Sequence, residues 1–164
     1  MLVVSDTTPI ISLMKDNKLG ILKDLFKEII IPEAVYNELT MNPNYPEEAN
    51  TIRNSDFIRT VTLDDRKLVD IFQRATGLDL GESEAIVYSD ENDADLLMMD
   101  ESRGRQVAKQ MSIRVIGTLG ILQLANEKGL LSGREVRHCI EVLKKNERHI
   151  SDELIEMVLK NIKD

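Results

Sequence analysis

Short runs of apolar residues, each cut off by an acid, a proline or a glycine-containing turn, set the rhythm of this chain. Leu2–Val4, Glu28–Ile31, Leu96–Met99 and Ile113–Ile116 are too short for helices and read as buried strands. A fifth segment, Phe57–Val61, alternates apolar and polar positions and is the weakest of the five. Helical spacing fills the intervals. Leu19, Ile21, Leu22, Leu25 and Phe26 mark one helix, and Val35 and Leu39 mark another that begins near Pro32. Leu68, Val69, Phe72 and Ala75 follow Asp64-Asp65 with amphipathic spacing; Ala85-Ile86-Val87 follow Gly81-Glu82; Val107, Ala108 and Met111 follow Ser102. Strands alternating with helices predict a parallel sheet covered on both faces.

Two stretches depart from that alternation. Met41–Ser55 carries two prolines and four asparagines and predicts a loop with at most one short helix. Beyond Gly117 the pattern is helical throughout: Leu119, Leu122 and Ala125 form one helix ended by Lys128-Gly129. Ser132 caps a second, striped by Val136, Ile140 and Leu143, and Ser151 starts a third that buries Leu154, Ile155, Val158, Leu159 and Ile162. The expected organisation is a single domain over residues 1–164: an α/β core to residue 118, and a helical extension (119–164) packed on it or used as a dimer surface.

Composition narrows the classes without choosing among them. With 42% hydrophobic and 30% charged residues the chain is globular, and with 4% aromatics and no Trp its core must be aliphatic. No apolar run is long enough to span a bilayer, so no membrane partner is expected. Asp6 interrupts the first apolar run, no basic stretch precedes it, and Cys139 is the sole cysteine, all of which fit a cytoplasmic location. A net charge of −8 argues against a general nucleic-acid coat, though not against a nuclease whose acids hold cations. Arg103, Arg105, Lys109 and Arg114 cluster after Asp100, a spacing that an ordinary solvated helix face also gives.

Acids recur where strands give way to helices. Asp6 ends the first apolar run before Thr7-Thr8-Pro9; taken alone it serves equally well as a helix cap or a ligand. Asp100 repeats the motif after Leu96–Met99, with Ser102 as a competing cap; two such strands side by side would bring Asp6 and Asp100 close together. Glu38 lies late in a short helix, where the macrodipole disfavours a carboxylate, yet alone it reads as an ordinary exposed glutamate. Glu82 and Glu84 sit in the first turn of another helix, where acids are common; Glu82 is the one expected to turn inward, with Glu84 at the surface or beside it. Four such acids at equivalent places point to a shared site, and oxygen-only ligation selects Mg²⁺ or Mn²⁺ over zinc.

At these motifs the chain resembles the PIN-domain nucleases, and within them the VapC-like toxin group. The markers are Val4–Leu13 (VSDTTPIISL), Ile31–Leu39 (IPEAVYNEL), Leu80–Ile86 (LGESEAI), Met99–Ala108 (MDESRGRQVA) and Val115–Ile121 (VIGTLGI), in this order along nearly the whole chain. The resemblance implies a three-layer α/β/α fold with a four- or five-stranded parallel sheet plus C-terminal helices. It implies a Mg²⁺- or Mn²⁺-dependent endoribonuclease acting on single-stranded RNA, with Asp6, Glu38, Glu82 and Asp100 as both catalytic and metal-binding residues. Thr7, Glu84, Glu101 and Thr118 are the auxiliary positions around them. Family members usually form homodimers, and many are toxins silenced by a small antitoxin protein. The chain departs from the common pattern in carrying Glu82 where many members have Asp, and in having Glu101 and Thr118 in place of a clear further acid after Asp100. The extension after Gly120 is typical of one branch of the family.

Two rivals stand beside this expectation. A haloacid-dehalogenase-type phosphatase also opens with a strand and an Asp nucleophile, but wants a second Asp where Thr8 stands. A catalytically silent module that keeps the fold as an interaction platform is the rival from another class. His138, His149 and Cys139 lie in the helical tail without ligand spacing and receive no role.

Overall fold

Runs of three or four branched apolar residues bury both of their faces best as parallel strands under two helical layers, because successive side chains leave a strand on opposite sides. The computed structural model describes residues 1–146 and 150–164. The chain runs β1 (Val3–Ser5), α1 (Thr7–Lys15), α2 (Ile21–Phe26), β2 (Ile29–Pro32), α3 (Glu33–Thr40), α4 (Pro46–Asn54), β3 (Ile58–Val61) and α5 (Arg66–Thr76). It continues with α6 (Leu80–Glu91), β4 (Leu96–Met98), α7 (Ser102–Gln110), β5 (Val115–Ile116), α8 (Thr118–Glu127), α9 (Gly133–Lys145) and α10 (Asp152–Asn161).

All five strands join one parallel sheet in the order β3-β2-β1-β4-β5. Val3, Ile29, Ile31 and Met98 point to one face, against Ile10 of α1, Leu22 of α2, Val35 of α3, and Ile121 and Leu122 of α8. Val4, Ile30, Leu97 and Met99 point to the other, against Ala85 and Ile86 of α6 and Ala108 of α7. The fold is therefore three-layered, α/β/α, with α9 and α10 added to the α8 side through Val136, Ile140, Leu143, Ile155 and Val158. No helix among the described residues is long and apolar enough to cross a membrane.

The differences from the sequence pattern are local. β1 ends at Ser5 and β2 at Pro32, each one residue later than the apolar runs suggest, and β5 is only Val115–Ile116. Pro32 fits because β1 has already turned into α1 there, so its missing N–H costs that side of the ladder nothing. Within Met41–Ser55, Pro46 opens a full helix that buries Ala49 and Ile52. Leu154 is 50% exposed, not buried, since α10 turns the Ile155–Val158 stripe inward. On α5 only Val69 is buried, against Leu63 just before the helix and Val87 of α6, while Phe72 is partly buried. His149 lies outside the described residues.

Candidate acidic site

From β1 the sheet grows through β2 and β3 in one direction and through β4 and β5 in the other. The winding thus reverses between β1 and β4, the crevice where open α/β sheets place their ligands. Asp6 follows β1 and Asp100 stands two residues after β4. The Asp6 amide donates to the Met98 carbonyl at 2.9 Å, which locks the two strand ends together.

Asp6 occupies the N-cap position of α1 with extended backbone, yet its side chain makes no capping bond. It is 4% exposed, and burial pushes its carboxyl up to about 7. The nearby Thr7 amide lowers it in part, and the charges of Glu82, Asp79 and Glu38 raise it further. A buried carboxylate facing like charges is relieved by a proton or by a cation.

Glu38 comes from α3. Thr7 Oγ1 donates to its Oε2 at 2.7 Å, while its other oxygen lies over Gly81, where a Cβ would approach to 2.5 Å. Partial desolvation raises its carboxyl, the Thr7 bond lowers it, and Asp79 and Glu84 raise it again. Glu82 comes from the first turn of α6, where it completes a capping box: its Oε2 accepts from the Asp79 amide at 3.0 Å and its own amide donates to Asp79 Oδ1 at 2.8 Å. Desolvation raises Glu82 too; the Asp79 amide lowers it, and Asp79, Glu101 and Glu38 raise it.

Asp100 is turned the other way. The Thr118 amide donates to its Oδ1 at 2.7 Å and the Thr118 hydroxyl to its Oδ2 at 2.6 Å. Gly117 makes room for this: a Cβ there would come within 2.9 Å of both Asp100 Oδ1 and Arg105 Nη1. Glu101, not Ser102, caps α7, accepting from the Gly104 amide at 2.7 Å. Glu84 is neither a surface residue nor a member of the crevice rim. It is 2% exposed, accepts from the Ala34 amide at 3.0 Å and from Arg66 Nη1 at 2.6 Å, and so ties α6 to the start of α3.

The structure therefore gathers Asp6, Glu38 and Glu82 electrostatically and leaves Asp100 at the adjoining strand end. A family model described as a PIN domain matches residues 2–164. The chain belongs to the PIN-domain family. No curated protein matches it.

In this PIN domain the donor set is all oxygen, which suits a hard divalent cation, and buried Asp6 supplies an electrostatic reason for one. Among the described residues no three acidic, His or Cys side chains already converge on one point. The reason is visible in the bonds above: Glu82 serves its capping box, Glu38 serves Thr7, and Asp100 serves Thr118. Asp79 is the acid that the sequence pattern hid. It reads as an ordinary helix cap, and only its spacing of three from Glu82 signals that the two act as one unit. Of the basic cluster, Arg103 donates to the Thr76 carbonyl at 2.8 Å and Arg105 to the Met99 carbonyl at 2.9 Å, so both partly brace the site. His138 and Cys139 both bond Asp16 Oδ2 away from the crevice, and burial pushes the Cys139 thiol up to about 12. That thiol is no nucleophile.

Proposed function

We propose that this PIN domain is a divalent-metal-dependent endoribonuclease, with Asp6, Glu38, Glu82 and Asp100 as the residues that hold Mg²⁺ or Mn²⁺. The observation that carries the reading is Asp6: a buried, uncapped carboxyl at the winding reversal of the sheet, raised to about 7 among three other acids. A bound Mg²⁺ or Mn²⁺ would lower the pKa of a water ligand and polarise a phosphoryl oxygen. The chain's own groups prepare for that role. Thr7 aims Glu38, Gly81 leaves space for it, and Thr118 fixes the rotamer of Asp100. Glu82 must exchange the Asp79 amide for the crevice, which a helix cap allows at a cost of about 1 kcal/mol. A water attacking the phosphodiester in line would displace one ester oxygen, which leaves with a proton, while the carboxylate cluster is placed to take up the proton that the attacking water gives up.

The test is cleavage of a mixed single-stranded RNA with Mg²⁺ or Mn²⁺, by the parent and by Asp6→Asn and Asp100→Asn. The expected result is loss of roughly 100-fold or more in each variant; equal cleavage by all three rejects the assignment. The toxin reading, with a small antitoxin partner, a homodimer and a cytoplasmic setting, is a finer proposal supported by the ordered motifs. Co-purification with the product of a short neighbouring reading frame tests it. A silent interaction module is the second reading, favoured by the protein-bound oxygens of Glu82 and Asp100. Calorimetry at neutral pH decides between the two: heat of Mn²⁺ binding that Asp6→Asn removes supports the nuclease, and no heat supports the silent module.

A further inference from the structure

Asp100 lies at the junction of two cavities, of about 860 and about 700 Å³, that share Asp100, Ser102, Arg105, Ser151 and Leu154. They form one cleft between α7 and α10. Its two walls differ in kind. The α10 wall is apolar, built from Ile150, Leu154, Met157 and Val158. Leu154 and Met157 are 50% and 57% exposed there, which leaves about half of each apolar side chain facing water. The α7 wall offers Ser102, Arg105, Gln106 and Lys109, which recur at one-turn spacing.

The α7 wall stands out against the composition of the whole. The chain has 29 acids against 21 basic residues, yet Ser102–Gln110 contains no acid and three cations, of which Arg105 and Lys109 line the cleft; the acids that line it, Asp100 and Glu101, precede the helix at the end nearest the acidic site. Among the described residues Lys109 enters no salt bridge. Hydroxyl, guanidinium, amide and ammonium groups are all donors, the set that tracks phosphate oxygens. A wall of donors facing a wall of aliphatic side chains suits a polymer with an anionic backbone and flat apolar faces. A base-paired duplex hides those faces; a single strand presents them.

We propose that this cleft binds the single-stranded RNA segment beside the scissile phosphate, with Arg105 and Lys109 on its phosphates and Leu154 and Met157 against an unstacked base. The inference rests on the nuclease reading for its occupant and adds the C-terminal helix as a base-contacting wall. Among the described residues no aromatic ring lines the cleft, so bases meet aliphatic surface there and gain less than aromatic stacking would give. Affinity is then modest. Two phosphate contacts give a salt slope near −1.4 in log K against log salt.

The test is fluorescence anisotropy of a labelled single-stranded RNA with protein carrying Asp6→Asn, in Mn²⁺, so that the probe survives. Lys109→Gln is expected to weaken binding roughly 3- to 5-fold and to flatten the salt slope by about 0.7. Leu154→Ser with Met157→Ser, both at exposed positions, is expected to weaken it roughly 5- to 10-fold and to erase a preference for single strand over duplex. Ile71→Ser, exposed on α5, is the control and should change nothing. Unchanged affinity in both cleft variants overturns the inference, and leaves the nuclease proposal standing if the parent cleaves RNA. Weakened binding in both supports the cleft even if the parent fails to cleave, in which case only the catalytic proposal falls. A parent that binds no RNA overturns it outright.

Discussion

With its carboxyl raised to about 7, Asp6 holds more protons folded than unfolded across the interval from about 4 to 7. The unfolded chain gives up that proton first, so stability falls as pH rises through the interval. The largest possible effect is about 4 kcal/mol, reached above pH 7. Glu38 and Glu82, also raised, act with the same sign. Thermal melts between pH 5 and 8 should show the parent losing stability, and Asp6→Asn losing less and melting higher than the parent at pH 8. Adding Mn²⁺ at pH 7.5 should restore the parent more than the variant. A parent whose melting point is flat over that range would contradict the burial argument. Gly81 makes a sharper test of geometry. An added Cβ would clash with the Glu38 carboxylate, at the end of a side chain that can shift, and stand at ordinary contact from Val35, while alanine suits a helix better than glycine by about 0.5–1 kcal/mol. Gly81→Ala should therefore keep or raise stability in urea titrations while displacing Glu38 and cutting cleavage about tenfold or more.

Elements carry the carboxylates, and their fixation depends on one buried residue that looked ordinary in the sequence. Glu84 accepts the Ala34 amide and pairs with Arg66, so it sets where α3, and hence Glu38, sits against α6. Glu84→Ala leaves the Ala34 N–H without that acceptor in a buried place and should cost about 3 kcal/mol by chemical denaturation. Glu84→Gln keeps an acceptor for Ala34 and should recover part of that loss. Elements were also where sequence pattern reads best and worst. The five segments each became a strand; for β1, β2 and most of β4 the reason is burial on both faces, which leaves no polar option, while β3 at the sheet edge keeps its polar positions exposed. Acids at β1 and β4 were legible for the same reason: a charge ending an apolar run stands out. The rotation of each carboxylate was not legible, since capping box, Thr7 bond and Thr118 bond depend on groups far apart in sequence, such as Thr7 and Glu38. The burial of Glu84 was hidden because GESEA places two glutamates on a helix start, where acids are common and the pattern favours Glu82 as the one that turns inward.

At the scale of the whole molecule, the helical extension decides whether the crevice is open on one side or walled. α10 meets the body through Ile155 and Val158 and is pinned at its far end by Asn126, a buried α8 side chain. Asn126 Oδ1 accepts from the Lys163 amide at 2.7 Å, and its Nδ2 donates to the Lys163 and Leu131 carbonyls at 2.8 and 2.9 Å. One amide thus joins the α8–α9 turn to the end of the chain. Asn126→Ala removes three hydrogen bonds and leaves the buried Leu131 carbonyl and the part-buried Lys163 carbonyl to find water, a loss of about 2 kcal/mol concentrated on α10. Because the sheet and α10 share no such bond among the described residues, the loss should appear as local opening. Hydrogen exchange of α10 amides should speed up roughly 30-fold, while β1, β2 and β4 amides keep their rates. If every element accelerates equally, α10 unfolds only with the core and is not a separable wall. If α10 alone opens, the same variant should also weaken binding of single-stranded RNA in the cleft, because the apolar wall then spends much of its time away from α7.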